Sequence, residues 1–289
     1  MTDWFDETLH ENLGLGLRLR NLKTLHESRT GQQQLTVFEN DLLGRVLTLD
    51  GIVQTSQRDE FAYHEMLVHV PLMAHGAVRD VLIIGGGDGG SLREVVRHGV
   101  ETVTMVEIDD EVIDLSKRYL PSLSDGAFDD GRLDLVIGDG AKFVGETARR
   151  FDVVIVDSTD PVGPGTALFS TAFYRGCRRV LRHGGILVTQ SGVPFVQGED
   201  FADHAAAMRE SFEDVSCYLT VVASYTGGHM ALGWASDDGQ RRQVPLETIE
   251  QRWWPLNLRT RYYTPQVHVA SFALPPFIAG MLERRPGQT

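Results

Sequence analysis

The chain has 289 residues, 42% of them hydrophobic and 23% charged, the make-up of a soluble globular protein large enough for a sizeable core. A net charge of −13 argues against a nucleic-acid partner, whose phosphates need Lys and Arg, and suits a cationic ligand. Nor does any apolar run approach membrane-spanning length, and the start "MTDWFDE" carries acids where a secretory signal would carry Lys or Arg. An acidic balance also serves solubility alone, so the charge gains meaning only when the acids are placed. The two cysteines, Cys177 and Cys217, are therefore expected as free thiols in a reducing cytoplasm.

The first seventy-odd residues read as β-rich. "QLTVFEN" (34–40) alternates apolar and polar, and "GRVLTLDGIVQTS" (44–56) places two short strands around Asp50-Gly51, a hairpin signal. "RDEFAYHEMLVHVPLMAH" (58–75) reads as a helix with Phe61, Met66, Leu67 and Val70 near one face, broken or kinked at Pro71. The boundary between a small N-terminal β domain (1–75) and a larger α/β domain (76–289) is expected in this segment.

From residue 79 strands and helices alternate. "DVLII" (80–84) is a strand buried on both faces, followed by a short helix (91–99) closed by Gly99. Strand 102–108 precedes a helix over 109–123, with acids first and basic residues later. Strand 132–139 leads to helix 140–150, and strand 151–157 to helix 170–181, capped by Ser170. Strand 184–190, helix 199–212 and a late antiparallel pair (214–225 and 229–236) complete the pattern. Such βα repetition predicts an α/β fold: a Rossmann-like, doubly wound, mostly parallel sheet with a small N-terminal β-stranded domain.

In these sheets the ligand lies beyond the carboxyl ends of the strands. Four strand ends carry polar signatures: the loop Gly85–Gly90, Glu107, Asp139-Gly140 and Asp157. Gly85, Gly87 and Gly90 match G-x-G-x-x-G, weak alone but strengthened by that succession. Glu107, 22 residues after Gly85, suits a ribose diol; its helix-capping alternative is better served by Asp109 or Asp110. Asp139 suits an adenine amino group or, equally, a cap on the helix from 141, and Gly140 lets a base approach the backbone. Asp88 then discriminates among adenosine ligands. It would repel the pyrophosphate of NAD and the carboxylate of S-adenosylmethionine. An ammonium-tipped arm would instead gain a charge-assisted hydrogen bond, as decarboxylated S-adenosylmethionine offers.

A second acidic cluster, "VDSTDPVGPG" (156–165), follows the fourth strand. Asp157 and Asp160 are expected to line one cavity with Asp88. Three such carboxylates repel one another unless a cation joins them. A linear diamine fits their spacing better than a metal, since the expected third strand end offers no His-rich partner set.

The whole pattern resembles the spermidine synthase family of polyamine aminopropyltransferases. The resemblance rests on "WFDET" (4–8), "LDGIVQTSQRDEFAYHEML" (49–67), "VLIIGGGDGGSLREVVRH" (81–98), "MVEID" (105–109), "GDG" (138–140) and "DSTDPVGP" (157–164), in the family's order along nearly the whole chain. It implies transfer of an aminopropyl group from decarboxylated S-adenosylmethionine, a co-substrate, to putrescine, without metal or other cofactor. Gln33, Asp88, Glu107, Asp139, Gly140 and Pro164 would bind the donor or its product, methylthioadenosine. Tyr63, His64, Asp88, Asp157, Ser158, Thr159, Asp160 and Tyr225 would bind the amine, with Asp157 as the proton acceptor. The resemblance also implies a homodimer or homotetramer. Position 64 is His where other members carry Gln, and Asn12 stands where some place a Trp, so the acceptor is less fixed than the reaction. Rival readings are a methyltransferase using intact S-adenosylmethionine, an NAD-dependent dehydrogenase and a non-catalytic polyamine sensor. Asp88 opposes the first two, and Asp157 with Asp160 the third.

Overall fold

The structure, a computed structural model, describes residues 3–161 and 163–284, with only the backbone described at 163 and 164. β1 (Asp3–Asp6) and β2 (Arg18–Asn21) form an antiparallel pair. β3 (Lys23–Arg29), β4 (Gln34–Asn40), β5 (Gly44–Leu49) and β6 (Ile52–Ser56) form an antiparallel four-stranded meander in chain order. The hairpin at Asp50-Gly51 is present, with both residues at positive φ (49° and 78°) and Leu49 opposite Ile52. That is the type I′ geometry whose twist matches the strands. β1 to β3 had no strand signal of their own, because short, largely exposed strands carry little apolar alternation.

Every residue of α1 (Glu60–His75) except Phe61 is buried. The one-faced reading is therefore corrected, since the helix is enclosed all round; it continues to His75, the end read from sequence, four residues past Pro71. It closes at Gly76, whose N–H donates to the Leu72 carbonyl at 2.9 Å. Its last carbonyls are held from outside, Met73 and Ala74 by Arg252 and His75 by Arg241. Those bonds secure the C-terminal turn that a proline would otherwise weaken.

The large sheet contains β7 (Asp80–Gly85), β8 (Thr102–Glu107), β9 (Leu133–Ile137), β10 (Phe151–Asp157), β11 (Leu181–Gln190), β12 (Asp214–Thr220) and β13 (Met230–Ser236). Their order is β12-β13-β11-β10-β7-β8-β9, the first five in sequence parallel and β13 antiparallel to both β11 and β12. The chain winds outward from β7 to β9, then returns to lay β10 on the other side of β7. This reversal opens a crevice at their carboxyl ends, where Asp157 stands opposite Gly85.

Helices α2 (Gly90–Val96), α3 (Asp110–Tyr119), α4 (Pro121–Ser124), α5 (Gly140–Glu146), α6 (Thr171–Val180) and α7 (Gly198–Arg209) connect the strands. The single helix read over 109–123 is divided at Leu120, because Pro121 drives the residue before it out of helical geometry (φ −125°, ψ 42°). α2 ends at Val96, so Gly99 does not close it, and α5 stops at Glu146. The late strand ends at Thr220, leaving Tyr225 in the turn beyond it. Ser170 caps α6 as read, accepting from the Phe173 N–H at 3.2 Å. Three further helices, α8 (Leu246–Trp253), α9 (Pro265–Ser271) and α10 (Pro276–Glu283), were not foreseen.

Apolar residues of β7 alternate between two cores. Val81 and Ile83 face α1, α2, Trp253 and Tyr263, while Leu82 and Ile84 face Phe173, Cys177 and Val180 of α6. The uninterrupted run "VLII" reflects those two buried faces. A third core joins Leu35, Val37, Leu47 and Leu49 of the meander to Val112 and Leu115 of α3, so the small β region is seated directly over the carboxyl ends of the large sheet. Both cysteines are free and buried. Among the described residues no helix is long and apolar enough to cross a membrane.

Ile83 is fully buried. Ile83→Ala should lower unfolding free energy in urea by about 2–5 kcal/mol. Trp254→Ala, at a position 61% exposed, should stay within about 0.5 kcal/mol of the parent.

Candidate active site

One cavity opens above β7 and β10. Its lining includes Gln33, Tyr63, His64, Asp88, Glu107, Asp139, Gly140, Asp157, Ser158, Thr159, Asp160 and Tyr225. These are the residues expected from sequence, apart from Pro164. That residue stands in the 3-10 helix Gly163–Phe169, and its side chain lies outside the described residues. Asn12 is exposed and is not part of the lining.

The glycine loop is shaped by protein, not by phosphate. Gly85 has φ +80°, and a Cβ there would lie 2.1 Å from the Asp157 carbonyl oxygen, which accepts the Gly86 N–H at 2.8 Å. A Cβ on Gly90 would fall 2.3 Å from the His64 ring. The loop therefore packs against β10 on one side and α1 on the other.

Asp88 is not an isolated charge. Its Oδ1 accepts the Gly90 N–H at 2.8 Å, and its Oδ2 lies 3.3 Å from His64 Nε2. The other ring nitrogen, Nδ1, is 2.8 Å from Glu60 Oε2. Burial of His64 (2% exposed) opposes its charge, but Asp88 and Glu60 outweigh this and hold its pKa well above the usual value. The ring is thus held in its charged form, with Nδ1 hydrogen-bonded to Glu60 and Nε2 ion-paired with Asp88. Asp88 responds in kind: burial raises its pKa, yet His64 brings it below the ordinary carboxylate value.

Asp157 has the opposite bias. Its Oδ1 accepts the Tyr63 hydroxyl at 2.9 Å and its Oδ2 the Ser91 hydroxyl at 2.7 Å. Burial, joined by repulsion from Asp88, raises its pKa despite the pull of His64, Ser91 and Tyr63. Burial and the Asp157 charge push the Tyr63 phenol well above 10, so it stays a donor. Tyr225 stands edge-on to Tyr63, centroids 6.0 Å apart, and donates to the Gln54 carbonyl at 2.6 Å.

Farther out, Asp160 Oδ1 accepts from Gln197 Nε2 at 2.6 Å and Gln190 Nε2 at 3.4 Å. Ser158 and Thr159 turn their hydroxyls to the next backbone carbonyls. Glu7, whose carboxylate accepts the Val53 N–H at 2.9 Å, joins the lining beside His10. Burial, aided by Asp160, raises the Glu7 pKa, while burial lowers that of His10.

At the other end, Glu107 is 6% exposed and accepts the Asp109 N–H at 3.0 Å. Burial pushes its pKa up to about 7. Gln33 Nε2 donates to Asp109 Oδ2 at 3.2 Å, and Asp109 Oδ1 caps α3 as read. Asp139 takes the capping alternative with Oδ1, accepting from Ala141 and Lys142 N–H at 2.7 and 3.1 Å.

Sequence reasoning missed Ser91, Glu60, Gln190, Gln197, Glu7 and His10. Ser91 directly follows the glycine loop and Gln190 ends a strand, positions that do point at a crevice. Gln197, Glu7 and His10 reach the site only through tertiary packing, whereas Glu60 meets His64 at i,i+4 on one helix, a spacing the sequence does show. The third strand end offers no histidine, as read, but α1 brings one to the acids. His64, Asp88 and Asp157 offer ligand atoms within 4.8 Å of one another. In this structure those atoms are committed to ion-pair and hydrogen-bond partners inside the protein.

A strand-end crevice lined by carboxylates, a buried imidazolium and two phenols matches a known group of transferases. Residues 60–245 match the spermine/spermidine synthase domain, and residues 3–57 the spermidine synthase tetramerisation domain. The chain belongs to the spermine/spermidine synthase family and is an aminopropyltransferase. Curated relatives include polyamine aminopropyltransferases of Ruegeria sp. (strain TM1040), 54% identical over 95% of this chain and 96% of that one, and of Pseudomonas syringae pv. tomato, 52% identical over the same shares. A solved spermidine synthase in complex with the transition state analogue AdoDATO superimposes with TM-score 0.91 at 37% identity, over 97% of this chain and 94% of that one. The spermidine synthase from Thermotoga maritima gives 0.89 at the same identity and coverage.

Removing the Tyr63 hydroxyl withdraws a donor that favours the charged form of Asp157. Tyr63→Phe should therefore move the Asp157 carboxyl titration, followed by carbon-13 NMR, to higher pH. Val222→Ala, at a buried position outside the lining, should leave it unchanged.

Proposed function

We propose that this chain is a spermidine synthase, transferring the aminopropyl group of decarboxylated S-adenosylmethionine to putrescine and releasing spermidine and methylthioadenosine. The observation that carries the reading is Asp157: a half-buried carboxylate of raised proton affinity at the mouth of β10, oriented by Tyr63 and Ser91. A general base needs that combination of fixed geometry and raised pKa.

The reaction is a direct displacement. The putrescine nitrogen attacks the methylene carbon beside the sulfonium, so a C–N bond forms as the C–S bond breaks. The electron pair goes to sulfur and leaves a neutral thioether, and the ammonium proton passes to Asp157. An alkyl ammonium has a pKa near 10.4 and no free electron pair, so its deprotonation is the chemical obstacle. Desolvation in the closed cavity and the sulfonium charge both lower that pKa. The Tyr63 and Ser91 hydroxyls keep the Asp157 carboxylate ready to accept. Positioning supplies much of the remaining acceleration.

In this reading Gln33, Glu107, Asp139, Gly140 and Pro164 hold the nucleoside, Glu107 on the ribose diol and Asp139 on the adenine amino group through the oxygen not used in capping. Asp88, whose Oδ2 pairs with His64, turns its remaining capacity to the donor's ammonium. Tyr63, His64, Ser158, Thr159, Asp160 and Tyr225 surround the amine, with Asp160 toward the distal ammonium. No cofactor is required, because the sulfonium is itself the activated leaving group. We further assign the chain to the cytoplasm and to a homotetramer, the latter on the tetramerisation-domain match over residues 3–57.

Incubation with decarboxylated S-adenosylmethionine and a panel of amines, with products identified by mass, should yield spermidine and methylthioadenosine from putrescine. A methylated amine formed from intact S-adenosylmethionine would replace the reading. Asp157→Asn should lower kcat by about 10²–10⁴-fold, with donor affinity changed only slightly. Turnover near that of the parent would remove Asp157 as the base.

A further inference from the structure

We propose that Glu60 and Arg93 are positioning residues for the transfer reaction, clamping His64 in place as the fixed cation between the two acids of the cavity. The inference rests on the assignment of Asp157 as the base and concerns residues two shells away from it.

The geometry runs in one direct line. Arg93, on α2, reaches Glu60, on α1, with both arms of its guanidinium: Nη2 to Oε2 at 2.9 Å and Nη1 to Oε1 at 3.2 Å. This two-point contact fixes the carboxylate plane as well as its position. Arg93 is itself anchored, Nη1 donating to the Leu123 carbonyl at 2.7 Å and Nε to Glu94 Oε1 at 2.7 Å. Glu60 Oε2 then accepts from His64 Nδ1 at 2.8 Å, leaving Nε2 aimed at Asp88. Glu60 and Arg93 are 7% and 14% exposed, so water does little to screen these charges.

The groups facing His64 are Glu60 and Tyr63 from α1, Asp88 from the glycine loop and Asp157 from β10, with Arg93 of α2 behind Glu60. A neutral imidazole in this setting could donate to only one of its two acid neighbours. With Glu60 charged and oriented, the ring donates to both. Its charge then stabilises the Asp88 carboxylate and keeps the raised proton affinity of Asp157 in check. Without it, two half-buried carboxylates would face each other uncompensated, and Asp157 would hold its proton too tightly to turn over at neutral pH. The effect reaches the reacting atoms through His64, since neither Glu60 nor Arg93 lines the cavity.

The test is Glu60→Gln, which keeps the shape and an acceptor for Nδ1–H but removes the charge. Glu65→Gln is the control: the same helix and 2% exposure, but its carboxylate serves the backbone N–H groups of Arg261, Tyr262 and Tyr263. Nitrogen-15 NMR of the His64 ring should show it titrating at least about one pH unit lower in Glu60→Gln than in parent and control. The alkaline limb of kcat/KM should fall with it, at the pH where the ring loses its proton. Arg93→Lys, which keeps charge but loses the fork, should shift both readouts the same way by less, and serves if Glu60→Gln does not fold. Ring titration unchanged in these variants, or a kinetic limb that stays put while the ring moves, overturns the proposal. Absence of spermidine from the parent enzyme would instead count against the substrate assignment and leave the NMR result to stand alone.

Discussion

The molecule is organised around one buried positive charge. His64 lies in the second turn of α1, enclosed by protein, with carboxylates at both ring nitrogens and a third within reach. Burying several carboxylates together is costly unless a cation accompanies them, and a charged ring that hydrogen-bonds at both ends meets that requirement. Much of the surrounding architecture keeps this ring where it is. The absence of a side chain at Gly90 lets the backbone pass directly over it, and α2 contributes the arginine that orients its partner.

The same charge divides the acids into two kinds. Asp88, in direct contact with the imidazolium, is held ionised below its ordinary pKa. Asp157, farther along, keeps a raised proton affinity and receives hydroxyl donors in place of an ion pair. Neighbouring carboxylates with opposite bias can take different chemical tasks in one cavity, one as a constant charge and one as a proton acceptor. The glutamates at either end, Glu7 and Glu107, are also pushed upward by burial and would gain most from a ligand that brings hydrogen-bond donors or positive charge.

The N-terminal meander is part of the site and more than a cover. Its apolar face packs on α3, which is positioned in turn by the end of β8. That seating delivers Gln33 to Asp109 and brings Glu7 and His10 to the rim opposite Asp160. The cavity is thus covered from above by a segment far in sequence from the loops that form its floor.

Much was legible in the sequence because local rules govern it. Uninterrupted apolar runs marked strands with two buried faces, Asp50-Gly51 specified a hairpin turn, and acids recurring at successive strand ends located the crevice. Family motifs then named most of the residues lining it. What failed did so where a long-range partner overrides a local preference. The one-faced reading of α1 missed a helix enclosed all round, whose last turn beyond Pro71 is held by two distant arginines. Asp139 had two equal readings until the start of α5 was in place to be capped. The greatest change concerns Asp88, which by sequence alone was an acid waiting for a cationic ligand. Charge pairing depends on distance: Glu60 and His64 pair within one helix, but residues 88, 93 and 157 join them only when α1, α2 and β10 converge. The sequence by itself determined the sheet, the crevice and its acids; the tertiary structure alone decided which acid is already neutralised, and which is left to accept a proton.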